Sequence, residues 1–374
     1  MNICVFLVVL LIFSLNLLGI VSYLYGFFSL DEIKLQEYFG SNYSTSLEYD
    51  KKLKLESKCS KVLDTNFPQF QKLIFIVVDS MRVDSMPTLS NNFGTQMPFI
   101  ESMLRNGTAH GFISEATAPT VTMTRIKALM SGTIPAFMDV LLTFNAVRFG
   151  GDNFIDQSYR HKKKVVFSGD DTWLQLFPEY LFLRFHAIPS LNSKDFTFCD
   201  NYVKEDAMRE LSRREEWDYM MLHFLGVDHI GHTYGRFNEH MTNKLHELDN
   251  FIKNIYDLLR KDKSRYLIVV TADHGMRDNG GHGDMSEKEI LTPLVFIDSK
   301  QSEQHKQKHY VHVNQLDIVN TISAALGLPY PQLSKGKIIG SMLSKLGMKD
   351  DELLCRYFNN AIQLLQKNEQ RKSN

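Results

Sequence analysis

Neither sign of charge is in excess in this chain of 374 residues: 42 Lys and Arg stand against 43 Asp and Glu, a formal net charge of −1. That balance leaves no electrostatic footprint for nucleic acid, so none is expected as a partner. Cysteine is scarce. The four, Cys4, Cys59, Cys199 and Cys355, lack metal-site spacing and are too few for a disulfide scaffold. Cys4 lies in an apolar N-terminal run, which leaves an odd number elsewhere; one bridge can form and none is required. After Phe28 no second apolar run is long enough to cross a bilayer, which excludes a multi-span reading of residues 29–374. No internal repeat is found, which argues against a solenoid.

What is present begins at the N-terminus. Ile3 to Phe28 hold no charged side chain, and the first charge is Asp31. Such a stretch is long enough to span a bilayer as a helix. A cleaved signal peptide would want a basic start, a shorter apolar core and a small-residue cleavage site. None is evident, so residues 1–29 are expected to form an uncleaved transmembrane anchor. The flanking charges do not settle its orientation. Residues 30–70 are polar and irregular and read as a juxtamembrane linker; residues 71–345 read as the folded catalytic domain and 346–374 as a closing helix and polar tail. Two glycosylation sequons, Asn42-Tyr43-Ser44 and Asn106-Gly107-Thr108, suit a lumenal domain.

The continuous apolar run Leu73–Val78 reads as a strand covered on both faces and Tyr266–Val270 as a buried strand, with Lys164–Phe167, Tyr219–Phe224 and Pro293–Ile297 as further strands. Between them lie helical patterns: Met97–Leu104 before Asn106-Gly107, a segment after Pro119 running to Met130, and Met241–Leu259 with Leu245, Leu248, Ile252, Ile255 and Leu259 at helical spacing. Leu316–Leu326 and Asp351–Leu365 close the series. Alternating strands and helices predict an α/β fold, a largely parallel central sheet flanked by helices, with sites at the carboxyl ends of the strands.

Those strand ends carry the chemistry. Asp79 closes the first run, Asp228 and His232 follow the Tyr219 run, Asp273-His274 follow the Tyr266 run, and His282 sits just beyond in the glycine-rich stretch Asn279-Gly280-Gly281-His282-Gly283-Asp284. Any one of these alone reads as a helix cap or a hydrogen-bonded histidine. Together they form a ligand set, because Asp228 and His232 at i,i+4 share a face of one helical turn and the glycines let backbone pass close to an ion. Mixed Asp and His donors suit zinc, or manganese, better than calcium. Six donors make three for each of two ions, and two ions about 4 Å apart stabilise both the attacking and the leaving oxygen of a displacement at phosphorus. A nucleophile is also needed. A threonine hydroxyl is too weakly acidic unless a metal lowers its pKa; Thr120, Thr122 and Thr124 stand at a helix start where a phosphate would be welcome, and at least two of the three should merely cap that helix.

The segments Val77-Val78-Asp79-Ser80, Ala118 to Leu129 with its Pro119-Thr120-Val121-Thr122 core, Val227-Asp228-His229-Ile230-Gly231-His232 and Ala272-Asp273-His274-Gly275-Met276 resemble the alkaline phosphatase superfamily. More narrowly, they resemble the GPI ethanolamine phosphate transferase family and its subtype acting on the second mannose. Thr133–Val140, Gly169–Trp173 and His312–Asp317 extend the likeness over about residues 20 to 345. The resemblance implies an alkaline-phosphatase-like fold, with Thr122 as the nucleophile. It implies one zinc shared by Asp79, Asp273, His274 and Thr122, and another held by Asp228, His232 and His282; His223 and His229 are not ligands on this mapping. Asn145 resembles a position that hydrogen-bonds a phosphate oxygen.

The same resemblance implies transfer of phosphoethanolamine from phosphatidylethanolamine to a mannose of a GPI-precursor glycolipid, in the endoplasmic reticulum membrane with the catalytic domain lumenal. A small multi-span membrane subunit is an expected partner. Water as acceptor would instead make a phosphodiesterase or phosphatase, and a catalytically silent lumenal subunit is a third reading. Two departures stand out: Thr124 occupies a position where relatives tend to have proline, and relatives continue into a long multi-span region that this sequence lacks.

Overall fold

The structure, a computed structural model, describes residues 3–27, 56–60, 62–63, 69–90, 96–134, 149–189, 196–301, 306–307 and 309–370. Its centre is an eight-stranded sheet: β1 (Lys72–Val78), β2 (Ala109–Glu115), β3 (Val165–Asp170), β4 (Arg184–Ile188), β5 (Tyr219–Phe224), β6 (Tyr266–Thr271), β7 (Leu291–Asp298) and β8 (His312–Asn314), in the order β4-β3-β5-β1-β6-β7-β2-β8. β4, β3, β5, β1 and β6 run parallel to one another, whereas β7 is antiparallel to both β6 and β2. The sheet is therefore mixed, and the largely parallel expectation holds for the half that carries Asp79, Asp228 and Asp273.

The apolar runs form strands for the reason their composition suggests, since each face of β1 is covered. Leu73, Phe75 and Val77 join Ile126, Leu129, Met130, Ile318 and Ile322 in one buried layer; Ile74, Ile76 and Val78 join Leu245, Leu248, Ile252 and Ile255 in the other. With side chains alternating along a strand, the odd-numbered positions of β1, β5 and β6 face the Thr122–Ser131 helix and the even-numbered ones (Ile74, Met220, Ile268) face the Glu239–Leu259 helix.

Three strands go beyond the apolar runs. β2 is broken up by Gly111 and polar residues, β4 is half-buried along most of its length, and β8 is three residues at the sheet edge. The helices at Pro98–Asn106 and Thr122–Ser131 both end on a glycine in the left-handed region, Gly107 at φ 76° and Gly132 at φ 66°, where a Cβ would be strained. Cys59 and Cys355 form a disulfide with Cα atoms 5.1 Å apart. It ties the segment before β1 to the Asp350–Gln370 helix, while Cys199 is buried outside it.

A helix covers Ile3–Phe27, where the anchor is expected, and its described side chains from Leu10 to Ser22 are exposed. Among the described residues no helix is long and apolar enough to cross a membrane. Asn145, most of the 30–70 linker, the Asn42 sequon and residues 135–140 lie outside the described residues. Asn106 of the second sequon is exposed at the end of its helix.

Candidate metal centre

Register brings the first group together. Val77 of β1 pairs with Thr271 of β6, so two residues further on Asp79 and Asp273 emerge side by side and on the same face. His274 comes directly after. The carboxylates and the imidazole are buried, and one ligand atom of each lies within 4.8 Å of the others. The second group forms where β5 leads into the Gly226–Tyr234 helix, one turn of which carries Asp228 and His232, with His232 Nε2 3.4 Å from Asp228 Oδ1. His282 comes from the glycine-rich loop. That loop passes so close to the helix that a Cβ on Gly280 (φ +84°) would stand 1.7 Å from the Gly231 carbonyl, and the approach leaves His282 Nε2 3.1 Å from His232 Nε2. Asp228, His232 and His282 likewise hold ligand atoms within 4.8 Å of one another.

Hydrogen bonds decide which imidazole nitrogen each site uses. Nδ1 of His274 lies 2.9 Å from the Gly275 carbonyl and Nδ1 of His282 lies 2.8 Å from the Thr120 carbonyl. A carbonyl only accepts, so both Nδ1 atoms carry the proton. In the neutral rings Nε2 is left as the electron-pair donor, the arrangement a metal-ligating histidine needs. The two rings stack at 4.1 Å between centroids. Ser80, held at φ 60° in the left-handed region that non-glycine residues avoid, joins the groups. Its hydroxyl donates to Asp228 Oδ1 at 2.6 Å and lies 3.2 Å from His274 Nδ1, while its backbone N–H donates to Asp273 Oδ1 at 3.2 Å.

The residues fit a cation at each group. Asp79 Oδ1 and Asp273 Oδ2 are buried with no hydrogen-bond partner, a costly arrangement unless a positive charge compensates it. Burial, with Asp273 and Asp228 close by, pushes the Asp79 carboxyl well above its ordinary value, and burial pulls His274 down. In the second group burial works against the charge on Asp228, but the three imidazoles outweigh it and hold the carboxyl well below the carboxylate range. His282 is correspondingly raised to about 9: burial opposes its charge, and Asp228 overcomes that.

Thr122 begins its helix half-buried, with Oγ1 3.3 Å from Asp79 Oδ2 and 3.4 Å from His274 Nε2. Thr120 and Thr124 are committed elsewhere: Thr120 Oγ1 accepts from Gly283 N–H and donates to the Asp284 carbonyl, and Thr124 Oγ1 donates to the Pro119 and Val121 carbonyls. The expectation that at least two of these threonines cap the helix is corrected here. The N-cap is Val121 and no side chain caps the helix: Thr120 and Thr124 donate to carbonyls and Thr122 to Asp79 instead. His229 joins neither group.

Sequence reasoning passed over three supporting residues. Gln315 donates to the Ala272 and Asp273 carbonyls at 3.1 and 2.6 Å and accepts from the buried Arg125 guanidinium at 2.9 Å, which fastens the Thr122 helix to the Asp273 turn. Ser80 is the third. A serine after a strand-end Asp, and a glutamine inside the His312–Asp317 block, were visible but carried no chemistry of their own.

The family model for type I phosphodiesterase / nucleotide pyrophosphatase matches residues 153–313, which include Asp228, His232, Asp273, His274 and His282. Human GPI ethanolamine phosphate transferase 2, catalytic subunit, is 35% identical over 292 residues, 76% of this chain and 29% of the relative. GPI ethanolamine phosphate transferase 2 of Schizosaccharomyces pombe is 38% identical over 291 residues, covering 72% and 38% respectively. The chain belongs to the GPI ethanolamine phosphate transferase family. It spans about a third of the length of these relatives, 29% of one and 38% of the other. Among solved structures its fold is similar to a protein of the alkaline phosphatase superfamily from Vibrio parahaemolyticus, with TM-score 0.51, 16% identity and coverage of 81% of this chain and 80% of that one. It is also similar to the lipooligosaccharide phosphoethanolamine transferase A of Neisseria meningitidis, with TM-score 0.52, 14% identity and coverage of 90% and 69%. An alkaline-phosphatase-like α/β fold is thereby shown for this member of the family.

Proposed function

We propose that this chain transfers phosphoethanolamine from phosphatidylethanolamine to a mannose, the second, of a GPI-anchor precursor, through a phosphoethanolamine ester of Thr122. The observation that carries the reading is the seat of Thr122 Oγ1 beside Asp79 and His274, at the half-open start of a helix whose free N–H groups favour a phosphate. Asp79, Asp273, His274 and Thr122 would hold one zinc and Asp228, His232 and His282 the other, with manganese an alternative. When bound, the ions supply the positive charge that makes a hydroxyl nucleophilic and stabilises developing charge on oxygen.

The hydrogen bond from Thr122 to Asp79 Oδ2 orients the hydroxyl. As the bond from Thr122 Oγ1 to phosphorus forms, the bond from phosphorus to the diacylglycerol oxygen breaks, and the hydroxyl proton ends on that oxygen, so that diacylglycerol leaves as the alcohol. A mannose hydroxyl then reverses the displacement, taking the phosphoryl group and returning Thr122 to its free form. His232, the most exposed of the candidate ligands, stands on the side where oxygens must enter and leave. Asn145 would contact a phosphate oxygen.

Support for a membrane setting comes from the helix at Ile3–Phe27, uncharged throughout and exposed from Leu10 to Ser22, which would act as the anchor of residues 1–29. It would hold the cleft of a 71–345 catalytic domain at the surface that contains both lipid substrates. The Cys59–Cys355 disulfide and the exposed Asn106 sequon suit the lumen of the endoplasmic reticulum, and a small multi-span subunit would complete the assembly.

The test uses purified protein, phosphatidylethanolamine labelled in the ethanolamine, and either a mannosyl acceptor or water alone. Label on the acceptor is expected, and a labelled protein intermediate that Thr122→Ala abolishes at unchanged melting temperature and metal content. Transfer retained by that variant would move the nucleophile elsewhere, and release only to water would make the protein a hydrolase.

A further inference from the structure

We infer that His223 is a positioning residue: its Nε2–H holds Asp79 in the orientation its cation requires, and Trp173 fixes the proton on that nitrogen. The inference rests on the metal reading above. It begins with register. Val77 of β1 pairs with His223 of β5, both in the odd-numbered series facing the Thr122–Ser131 helix, and Asp79 is the next side chain of β1 on that face. His223 is fully buried, with Nε2 3.5 Å from Asp79 Oδ2.

The proton can be assigned. The indole Nε1–H of Trp173 lies 3.1 Å from His223 Nδ1, and an indole nitrogen only donates. Nδ1 therefore accepts, and in a neutral imidazole the one proton sits on Nε2. Nε2 makes no hydrogen bond in the structure, and the Asp79 carboxylate, with Oδ2 3.5 Å away, is the ion-pair partner beside that N–H. This is the reverse of His274 and His282, whose Nδ1 atoms carry the proton and whose Nε2 atoms are open. His223 thus has the residue type of a ligand and the protonation of a hydrogen-bond donor.

The surroundings enforce this. Gly169 (φ +150°) lets β3 run against β5 where a Cβ would meet the His223 backbone oxygen at 2.5 Å, and that approach sets Asp170 and the stacked Phe167–Trp173 pair beside the imidazole. Asp170 Oδ2 is 4.0 Å from Nδ1, and its other oxygen accepts from Thr172 N–H at 3.0 Å. Asp79 Oδ2 accepts from Thr122 and faces His223, which leaves Oδ1, without a hydrogen-bond partner, for a cation. Outer partners of this kind commonly alter metal affinity about 10- to 100-fold.

The experiment is zinc titration of the full chain against a competing chelator, resolving two sites, with melting temperature tracked in parallel. His232→Ala identifies the exposed site. His223→Leu is expected to weaken one site, the one His232→Ala spares, by about 10- to 100-fold. His223→Gln keeps an N–H toward Asp79 and an oxygen for the indole, and should return affinity to within about threefold of wild type. Trp173→Phe, which keeps the ring and loses the donor, should fall between and carries the test if His223→Leu does not fold.

Wild-type affinity in both His223→Leu and Trp173→Phe would overturn the inference, as would His223→Gln no better than His223→Leu at equal melting temperature. A wild-type protein that takes up no zinc would overturn the metal reading itself, and this inference with it.

Discussion

Asp79, Asp273 and His274 place two carboxylates and one imidazole where solvent hardly reaches, with side chains 2%, 0% and 0% exposed, whereas those of Asp228, His232 and His282 are 12%, 42% and 15% exposed. The proportions are reversed as well, two acids and one histidine against one acid and two histidines. In the buried group burial, with Asp273 close by, pushes Asp79 up, and each carboxylate has an oxygen without a hydrogen-bond partner, so the group is costly without a cation and should hold one tightly. In the exposed group Asp228 is already balanced by His282. That group can give up and regain a cation or an oxygen ligand at little cost, which would suit the proposed exit and entry of lipid alcohols.

The strongest way to break this comparison is to remove one ligand from each group. Asp273→Ala should lower kcat/KM for transfer by at least about 10³-fold, the scale seen when residues act as one unit, and His232→Ala by about 10- to 100-fold; equal losses would erase the distinction.

Next comes pH. Without metal the His282 pKa is raised from 6.5 to about 9, so its pairing with Asp228 stabilises the fold fully below pH about 6.5 and is lost as pH climbs through about 9. Melting temperature of metal-free protein should decline across that window, with a flatter profile in His282→Ala. Zinc needs His282 neutral, so its affinity for the exposed group should rise over the same range, with about one proton released per ion at pH 7, measurable by calorimetry in buffers of different ionisation enthalpy.

The smallest effect belongs to Ser80, which touches both groups. Ser80→Gly releases left-handed backbone strain of about 1 kcal/mol and loses a hydrogen bond of similar size. Melting temperature should hardly move while zinc affinity of both groups drops by less than about tenfold, in contrast to the one-sided losses of the ligand variants.

Much of this was legible without coordinates. The apolar runs before Asp79 and Asp273 read as buried strands because both faces of β1 and β6 are covered, and Asp228 with His232 read as one helical turn because i,i+4 spacing admits little else. The strands β2, β4 and β8 were not legible, since a glycine-broken, half-exposed or three-residue segment has no periodicity to read. Nor was the direction of β7, which is set by pairing with β6 and β2 and leaves no mark on its own apolar run.

Sequence alone determined which side chains could bind metal and which hydroxyls could attack, because ligand chemistry resides in residue type and local spacing. Tertiary structure decided which threonine stands free beside Asp79, which nitrogen of each histidine carries its proton, and that His223 supports the site from outside. Those outcomes depend on contacts such as the Gly275 carbonyl on His274 and the Trp173 indole on His223, made by chain segments whose proximity only folding brings about.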